Sequence, residues 1–244
     1  MCIRDRPEVA SKAAFFIDFD GTLVDIAPRP ELVQVEPRVR TLLSALSDRF
    51  DHAVAVITGR PLDVVDGFLA PLKLAVAAEH GSIRRDASGQ IHANKHGAEA
   101  VEAAARQLEP LVEANPGLLL ERKMVSVALH YRQRPELAEI CAASVAETVA
   151  ANPDLVILPG KMVFELKPKG VDKGVAVRAF LAEAPFKGRV PVYIGDDVTD
   201  EHAFAAVNAL GGITVKIDDG ETQAQYRTDR QGLFDWLSGL VDKA

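Results

Sequence analysis

The chain has 244 residues, 48% of them hydrophobic and 26% charged, and a formal net charge of -7 at pH 7. That composition is typical of a globular protein with one large domain or two small ones, and the acidic balance argues against nucleic acid or an anionic membrane as the main partner, because both require a basic surface. Two cysteines are too few for a disulfide framework, and the chain lacks both an apolar run of ~20 residues for a membrane span and the apolar stretch of a signal peptide, so we expect a cytoplasmic protein.

The first third of the chain alternates short apolar runs with amphipathic segments. Residues 1–11 precede the first apolar run, and we expect an unstructured leader there. The runs AAFFI, HAVAVITG and LAVAAEHG predict buried strands, and the segment from Pro37 to Phe50 predicts a helix that buries Val39, Leu42 and Leu46. Strands that are apolar on both faces and alternate with helices indicate a parallel sheet covered on both sides.

The middle of the chain follows a different pattern. Residues 97–167 read as two rounds of helix, strand, strand, which predicts a small α+β unit with an antiparallel sheet. Cys141 falls on a face of its second helix and is interpreted as core packing.

The alternation of helix and strand then returns from DKGVAVRAFLAEAP, through VPVYIG, TDEHAFAAVNALG and GITVKI, to a final helix from Gln231. The predicted fold class is therefore α/β, with a Rossmann-like parallel-sheet core (12–96 plus 168–244) and an inserted α+β domain (97–167).

Polar residues follow three of the predicted core strands. They stand in DFDGT (18–22), TGR (58–60) and GDDVTD (195–200). Ligands of an open parallel sheet bind beyond the carboxyl ends of its strands, so these segments are the candidate site. Asp18 and Asp20 share one face, while Phe19 faces the other side.

A cluster of carboxylates at this edge requires a positive partner. Like charges about 5 Å apart repel by on the order of 3 kcal/mol at an effective dielectric near 20. A few oxygen ligands suit Mg²⁺, which retains waters and binds through one or two carboxylates plus a substrate phosphate. No cysteine or histidine spacing suggests zinc.

Two further residues match phosphoryl chemistry. Lys173 opens a predicted helix, so its ammonium and the helix N-terminus can both face a phosphate, and Thr58 offers a hydroxyl. With a carboxylate nucleophile and a metal, an aspartyl-phosphate intermediate is a natural route.

Each motif taken singly also has a structural explanation, because DGT is a common turn and acids are favoured in a first helical turn. The four segments in this order, each at an element boundary, favour the functional interpretation.

These four segments resemble the motifs of the haloacid dehalogenase superfamily of phosphatases, with the inserted domain resembling its larger cap. The wider set DFDGTL, VITGR, AEHGS, LLLERK, ALHYR, FELKPKGVDKG and GDDVTDE resembles the trehalose-6-phosphate phosphatases from about Ala13 to the C-terminus. The resemblance implies an Mg²⁺-dependent phosphoric monoester hydrolase that converts trehalose 6-phosphate to trehalose and phosphate. A trehalose-6-phosphate synthase is the implied functional partner.

The same resemblance implies a role for each matching residue. Asp18 would be the nucleophile and Asp20 the acid and then the base. The implied phosphoryl-holding residues are Thr58 and Lys173, with Gly21, Thr22, Gly59 and Arg60 around the phosphate. The implied Mg²⁺ ligands are Asp18, the backbone carbonyl of Asp20 and Asp196, supported by Asp197 and Asp200.

Three residues of the inserted domain are candidates for reading the sugar. Glu121 and Lys123 share a face of one predicted strand, and Glu165 lies on another strand of that sheet. The pattern alone fits a solvated polar face equally well, and the resemblance favours sugar recognition. His80 and His130 are interpreted as structural. Asp218 and Asp219 depart from the family pattern, in which a less acidic loop is expected there.

Three alternatives remain open. The first is a related enzyme that acts on another sugar phosphate, including a phosphohexomutase. The second is a signalling receiver domain, whose acids should be split between strands. The third is a metal-dependent glycosyltransferase, which would leave Lys173 and GDDVTD without a role.

Overall fold

The computed structural model describes residues 7–27, 29, 32–93, 97–123 and 125–242. Residues 1–6 of the predicted leader lie outside the described residues, and residues 7–10 form neither helix nor strand. The chain separates into two compact units, one of Met1–His92 and Asp172–Ala244 and the other of Ala93–Val171. The predicted domain boundaries at 97 and 167 each fall four residues inside the second unit.

The helices and strands follow one another along the whole chain. The strands are β1 (Ala13–Asp18), β2 (Val54–Ile57), β3 (Ala75–Ala78), β4 (Ile83–Arg85), β5 (Ile91–Ala93), β6 (Leu119–Arg122), β7 (Val127–His130), β8 (Leu155–Gly160), β9 (Val163–Pro168), β10 (Val190–Gly195), β11 (Ile213–Ile217) and β12 (Tyr226–Thr228). The helices are α1 (Pro37–Arg49), α2 (Leu62–Leu69), α3 (Ala98–Ala114), α4 (Ala138–Ala151), α5 (Lys173–Leu181), α6 (Glu201–Ala209) and α7 (Arg230–Val241). Within the described part of the chain, no helix has the length and apolarity needed to cross a bilayer.

The first unit is built on one sheet with the strand order β12-β11-β10-β1-β2-β3-β4-β5. The strands from β12 to β3 are all parallel, and β4 pairs antiparallel with β3. β1 therefore lies between β10 and β2, with Ile17 opposite Ile194 and Asp18 opposite Ile57. The carboxyl ends of these three strands meet at one edge of the sheet.

Helices cover both faces of this sheet, as the doubly apolar strands predict. All six residues of β1 are buried. Phe16 packs against Phe180 of α5 with 6.0 Å between ring centroids, whereas Phe15 faces the other side and contacts Phe50, which follows α1, at 4.7 Å. Alternate side chains of one strand thus serve two helical layers, and this α/β architecture confirms the predicted fold class.

The second unit has a four-stranded antiparallel sheet with the order β6-β7-β9-β8. Helices α3 and α4 pack on one face of it through a separate apolar core that includes Leu108, Leu129 and Leu166. Cys141 is fully buried in that core, so its interpretation as packing is confirmed.

Some elements differ from the sequence expectation. β4, β5 and β12 were not predicted, and each is only three residues long. The last helix begins at Arg230, one residue before the predicted Gln231.

Candidate active site

The first strand delivers two carboxylates to the edge of the sheet. Asp18 is the last residue of β1 and is 3% exposed. Phe19 is fully buried, and Asp20 is half-buried with its side chain paired to Arg60. Although Asp18 and Asp20 are two residues apart, the described contacts place their carboxylates with different partners, because β1 ends at Asp18 and the chain turns after it.

Lys173 connects the first strand to the last motif. Its Nζ lies 2.7 Å from Asp18 Oδ1 and 2.7 Å from Asp200 Oδ1, and all three side chains are buried. Lys173 is the first residue of α5, and Asp172 caps that helix by accepting a hydrogen bond from the backbone N–H of Val175. The cap therefore fixes where the ammonium enters the site.

Asp200 is enclosed by donors. Its Oδ1 accepts hydrogen bonds from Lys173 and from the Tyr193 hydroxyl, each at 2.7 Å. Its Oδ2 accepts from the backbone N–H groups of Asp196 at 3.0 Å and Asp197 at 2.9 Å. Asp197 instead is exposed and caps the short 3₁₀ turn Val198–Asp200. Of the two predicted supporting acids, Asp200 is the one bonded into the cluster.

Asp196 follows β10 directly and approaches the loop after β1. Thr22 Oγ1 donates to Asp196 Oδ1 at 3.3 Å, and the ammonium of Lys216 donates to the Asp196 carbonyl. Gly21 has a φ of +83°, and a Cβ there would lie 2.0 Å from Asp196 Oδ2. Only glycine combines that conformation with that approach.

The end of β2 supplies Thr58, Gly59 and Arg60. Thr58 is 1% exposed, and its Oγ1 accepts a hydrogen bond from the backbone N–H of Arg60 at 3.1 Å. A Cβ at Gly59 would lie 2.6 Å from the ring of His80. His80 therefore packs over the loop of the TGR motif, in keeping with its structural interpretation.

Burial and like charge together make the acidic group unfavourable without a cation. Burial raises the pKa of Asp18 well above its usual value, with further increases from Asp200 and Asp196, although Lys173 opposes them. Burial, and then Asp200, raise the pKa of Asp196. Burial lowers the pKa of Lys173, but Asp18 and Asp200 outweigh that effect and raise it above its usual value. The cluster thus has more negative charge than one ammonium neutralises.

The donor chemistry of this cluster fits a hard divalent cation. Oxygen atoms of Asp18, Asp196 and Asp200 all lie within 4.8 Å of one another. An all-oxygen set of this kind suits Mg²⁺ rather than zinc, so Asp18 and Asp196 could hold a metal ion. Asp200, whose two oxygens already accept four hydrogen bonds, would support them. The side chain of Asp20 is not one of the three, and the role expected of its backbone carbonyl stays a prediction.

A second group of possible ligands in the described residues is less suitable. Asp86, His92 and Glu183 have ligand atoms within the same distance of one another. One of its three possible ligands is a histidine nitrogen, whereas Mg²⁺ prefers oxygen ligands. The Asp18 cluster is therefore the better metal site.

The sugar-reading candidates lie on one face of the second unit's sheet. Glu121 of β6 and Glu165 of β9 are both opposite Ala128 of β7, one from each side. Glu165 is 9% exposed and accepts hydrogen bonds from Lys123 Nζ at 2.9 Å and Ser126 Oγ at 2.6 Å. The carboxylate of Glu165 on this face is therefore fixed by hydrogen bonds from two neighbouring side chains.

Three further residues contact the candidate set: the sequence analysis interpreted His130 as structural and did not single out Ser126 or Tyr193. His130 Nε2 lies 2.8 Å from Glu121 Oε2 and holds the pKa of that carboxyl below its usual value. Ser126 bonds Glu165, and Tyr193 bonds Asp200. The contact of His130 with Glu121 follows from the pairing of β6 with β7. Leu119 lies opposite His130, and Glu121 is two residues further along β6 on the same face.

Comparison with known proteins agrees with this architecture. The family model described as trehalose-phosphatase matches residues 16–231. The chain is 40% identical to the trehalose-6-phosphate phosphatase of Escherichia coli (strain K12), over 98% of this chain and 90% of that protein. It is also 32% identical to a bifunctional trehalose-6-phosphate synthase/phosphatase of Thermoproteus tenax, over 95% of this chain and 32% of that protein.

A solved structure described as a trehalose-6-phosphate phosphatase related protein superposes with a TM-score of 0.72 at 30% identity, covering 94% of this chain and 97% of that one. The parallel sheet with its acidic strand ends is the haloacid dehalogenase type of fold. Within that class, the chain belongs to the trehalose-phosphatase family.

Proposed function

We propose that this enzyme hydrolyses trehalose 6-phosphate to trehalose and phosphate through a phosphoryl group carried on Asp18. The observation that carries the proposal is the contact of Lys173 with both Asp18 and Asp200, each at 2.7 Å, beside Asp196. The named activity of the Escherichia coli relative supports the substrate.

In the first half-reaction, a carboxylate oxygen of Asp18 attacks phosphorus, and the bond from phosphorus to the sugar oxygen breaks. Asp20 gives its proton to that departing oxygen, so trehalose leaves neutral. Lys173 and Thr58 hold the phosphoryl oxygens as negative charge shifts among them.

In the second half-reaction, the oxygen of a water attacks phosphorus and gives one proton to Asp20. The bond from phosphorus to Asp18 breaks, and its electron pair returns to the Asp18 carboxylate. Phosphate leaves, and Asp20 is again protonated for the next cycle. Mg²⁺ held by Asp18, Asp196 and the Asp20 carbonyl, with Asp200 in support, would supply positive charge to the phosphoryl oxygens.

Substrate choice is proposed to lie in the second unit. The carboxylates of Glu121 and Glu165, with the ammonium of Lys123, would bind sugar hydroxyls. The chain passes between the two units near Ala93 and Val171, four residues outside the expected Gly97 and Lys167, and hinge motion at these two connections would be part of turnover. The fused synthase and phosphatase of Thermoproteus tenax supports functional coupling to a synthase that supplies the substrate. The cytoplasmic location of the protein stays a prediction.

The test measures phosphate release with Mg²⁺ from trehalose 6-phosphate, glucose 6-phosphate, mannose 6-phosphate and p-nitrophenyl phosphate. We expect a strong preference for trehalose 6-phosphate that chelator and Asp18→Asn both abolish. Asp51→Asn is the matched control, because Asp51 is exposed and pairs with Arg189, outside the candidate site. Equal rates on all four substrates would contradict the sugar assignment, and Asp18-independent release would contradict the nucleophile.

A further inference from the structure

Arg60 binds the carboxylate of Asp20 through one edge of its guanidinium, formed by Nε and Nη2. Arg60 Nε lies 2.6 Å from Asp20 Oδ2, and the terminal Nη2 of Arg60 lies 2.7 Å from Asp20 Oδ1. The two hydrogen bonds run in parallel, which fixes the plane of the carboxylate as well as its distance. The side chain of Arg60 is 12% exposed and that of Asp20 is 34% exposed. The guanidinium is therefore largely removed from solvent, while the carboxylate is still reached by water.

Arg60 is itself fixed by its surroundings. Its guanidinium carbon lies 5.2 Å from the ring centroid of Phe68 and 6.0 Å from that of Phe19. Those two rings stack on each other at 5.7 Å. The backbone N–H of Arg60 donates to Thr58 Oγ1. A planar cation against two aromatic rings has little rotational freedom, so Arg60 transmits a fixed orientation to Asp20.

We propose that Arg60 is a positioning residue that orients the Asp20 carboxylate for the second half-reaction. This inference rests on the proposed function, in which Asp20 takes a proton from the attacking water. Each carboxylate oxygen has two lone-pair directions, so an oxygen bonded to Arg60 can still accept that proton. An unheld aspartate would rotate about its side-chain bonds, and misplacement of about 1 Å is enough to reduce a rate about 10²-fold.

The competing role is direct binding of the transferred phosphoryl group by Arg60, which the family resemblance implies. A guanidinium grips a phosphate best with two parallel N–H groups. One of the two guanidinium edges with such a pair, the edge formed by Nε and Nη2, is already bonded to Asp20. Loss of the two parallel hydrogen bonds of Arg60 would slow different steps in the two roles. Water attack on the phosphoenzyme would slow if Arg60 orients Asp20, and substrate binding would weaken if Arg60 binds the phosphoryl group.

The informative substitution is Arg60→Lys, which keeps the charge and loses the two-pronged geometry. Asp18 would still be phosphorylated by p-nitrophenyl phosphate, whose leaving group needs no proton. We expect steady-state turnover of this substrate with Mg²⁺ to fall about 10- to 100-fold. Acid-quenched protein should then retain more phosphoryl group on Asp18 than the unsubstituted enzyme does, because water attack has become slow.

A double substitution separates the two roles further. If Arg60 acts through Asp20, Arg60→Lys combined with Asp20→Asn should be no slower than Asp20→Asn alone. Additive losses, or a raised KM with no gain of phosphoenzyme, would overturn the proposal in favour of phosphate binding. Arg60→Gln provides a second variant, and circular dichroism checks that each one folds.

Arg85→Lys is the matched control. Arg85 lies on β4 and bonds Asp66 and the Leu74 carbonyl, outside the candidate site. We expect a change in stability without retained phosphoenzyme. Because the aryl substrate does not depend on the second unit's sugar contacts, failure to hydrolyse trehalose 6-phosphate would reject the proposed substrate and leave the Arg60 test intact.

Discussion

At the scale of single residues, Asp200 shows how a buried charge is made tolerable. It is fully buried, and both oxygens are saturated by four donors from Lys173, Tyr193 and two backbone N–H groups. An unpaired carboxylate in such a place would be unstable as an ion. Burial and the negative charge of Asp200 raise the pKa of Tyr193 well above its usual value, so the phenol keeps its proton and remains a donor.

Replacing Asp200 with asparagine should therefore damage the core. The amide has one acceptor oxygen and two N–H donors, so its nitrogen must face either the ammonium and phenol or the two backbone N–H groups. We expect the free energy of unfolding to fall by about 3 kcal/mol. Thermal unfolding should shift down by roughly 6 to 12 °C, together with loss of phosphate release.

Asp197→Asn is the comparison for that experiment. Asp197 is exposed and acts as a cap, a role that asparagine also fills, so little change in stability is expected. Equal destabilisation by the two substitutions would show that the bonds to Asp200 are not the source of the effect.

The positions of the candidate residues followed from the sequence, but their partners did not. A polar residue after an apolar run must lie at a strand end, and parallel strands bring those ends together. That reasoning located Asp18, Thr58 and Asp196. It could not give the pairing of Asp20 with Arg60, because side-chain partners depend on how the backbone turns after the strand has ended.

At the scale of elements, pairing in the second sheet decides which side chains act together. Glu121 and Glu165 flank Ala128 in one row, while Leu129 and Leu166 turn to the helices on the other face. A slip of one residue in β9 would exchange these two sets. The apolar face that packs on α3 and α4 therefore also fixes the position of the polar face.

Glu165→Gln tests whether that polar face reads the sugar. The substitution keeps shape and removes the charge that Lys123 and Ser126 contact. If the carboxylate binds sugar hydroxyls, KM for trehalose 6-phosphate should rise about 10- to 100-fold, since hydrogen bonds to charged groups contribute about 1.5–3 kcal/mol. Rates with p-nitrophenyl phosphate should change little. Steady-state kinetics on both substrates measures the difference.

Glu109→Gln is the matched control in the same unit. Glu109 is an exposed partner of Arg122, and exposed ion pairs contribute little to stability. Its kinetics should equal those of the unsubstituted enzyme. A loss of activity by Glu165→Gln on both substrates alike would assign Glu165 to stability instead of recognition.

The short strands show why sequence patterns miss some elements. β4, β5 and β12 have three residues each, too few to show an alternation of period two. They form because neighbouring strands already present unpaired backbone groups, as β3 does for β4 and β11 for β12. Such strands are a property of the assembled sheet, whereas the long buried strands were predictable from local composition.

At the scale of the whole molecule, the two units have separate apolar cores. The chain's single tryptophan, Trp236, is buried in α7 and belongs to the first unit. Its fluorescence therefore reports unfolding of the unit that contains the acidic cluster. Far-ultraviolet circular dichroism reports helices of both units, so the two signals separate an effect on the first unit from an effect on the second.

Binding of Mg²⁺ should stabilise the first unit selectively. A ligand at 100 times its dissociation constant adds about 2.7 kcal/mol to the folded state, which corresponds to roughly 5 to 10 °C in the fluorescence transition. Asp18, Asp196 and Asp200 repel one another when buried, so a bound cation removes a destabilising repulsion from the first unit. The described residues of the second unit contain no such cluster. Asp196→Asn should abolish the shift, whereas Asp51→Asn should retain it. The same shift in both variants would mean that Mg²⁺ acts outside the cluster, and the metal would then have to be located elsewhere on the chain.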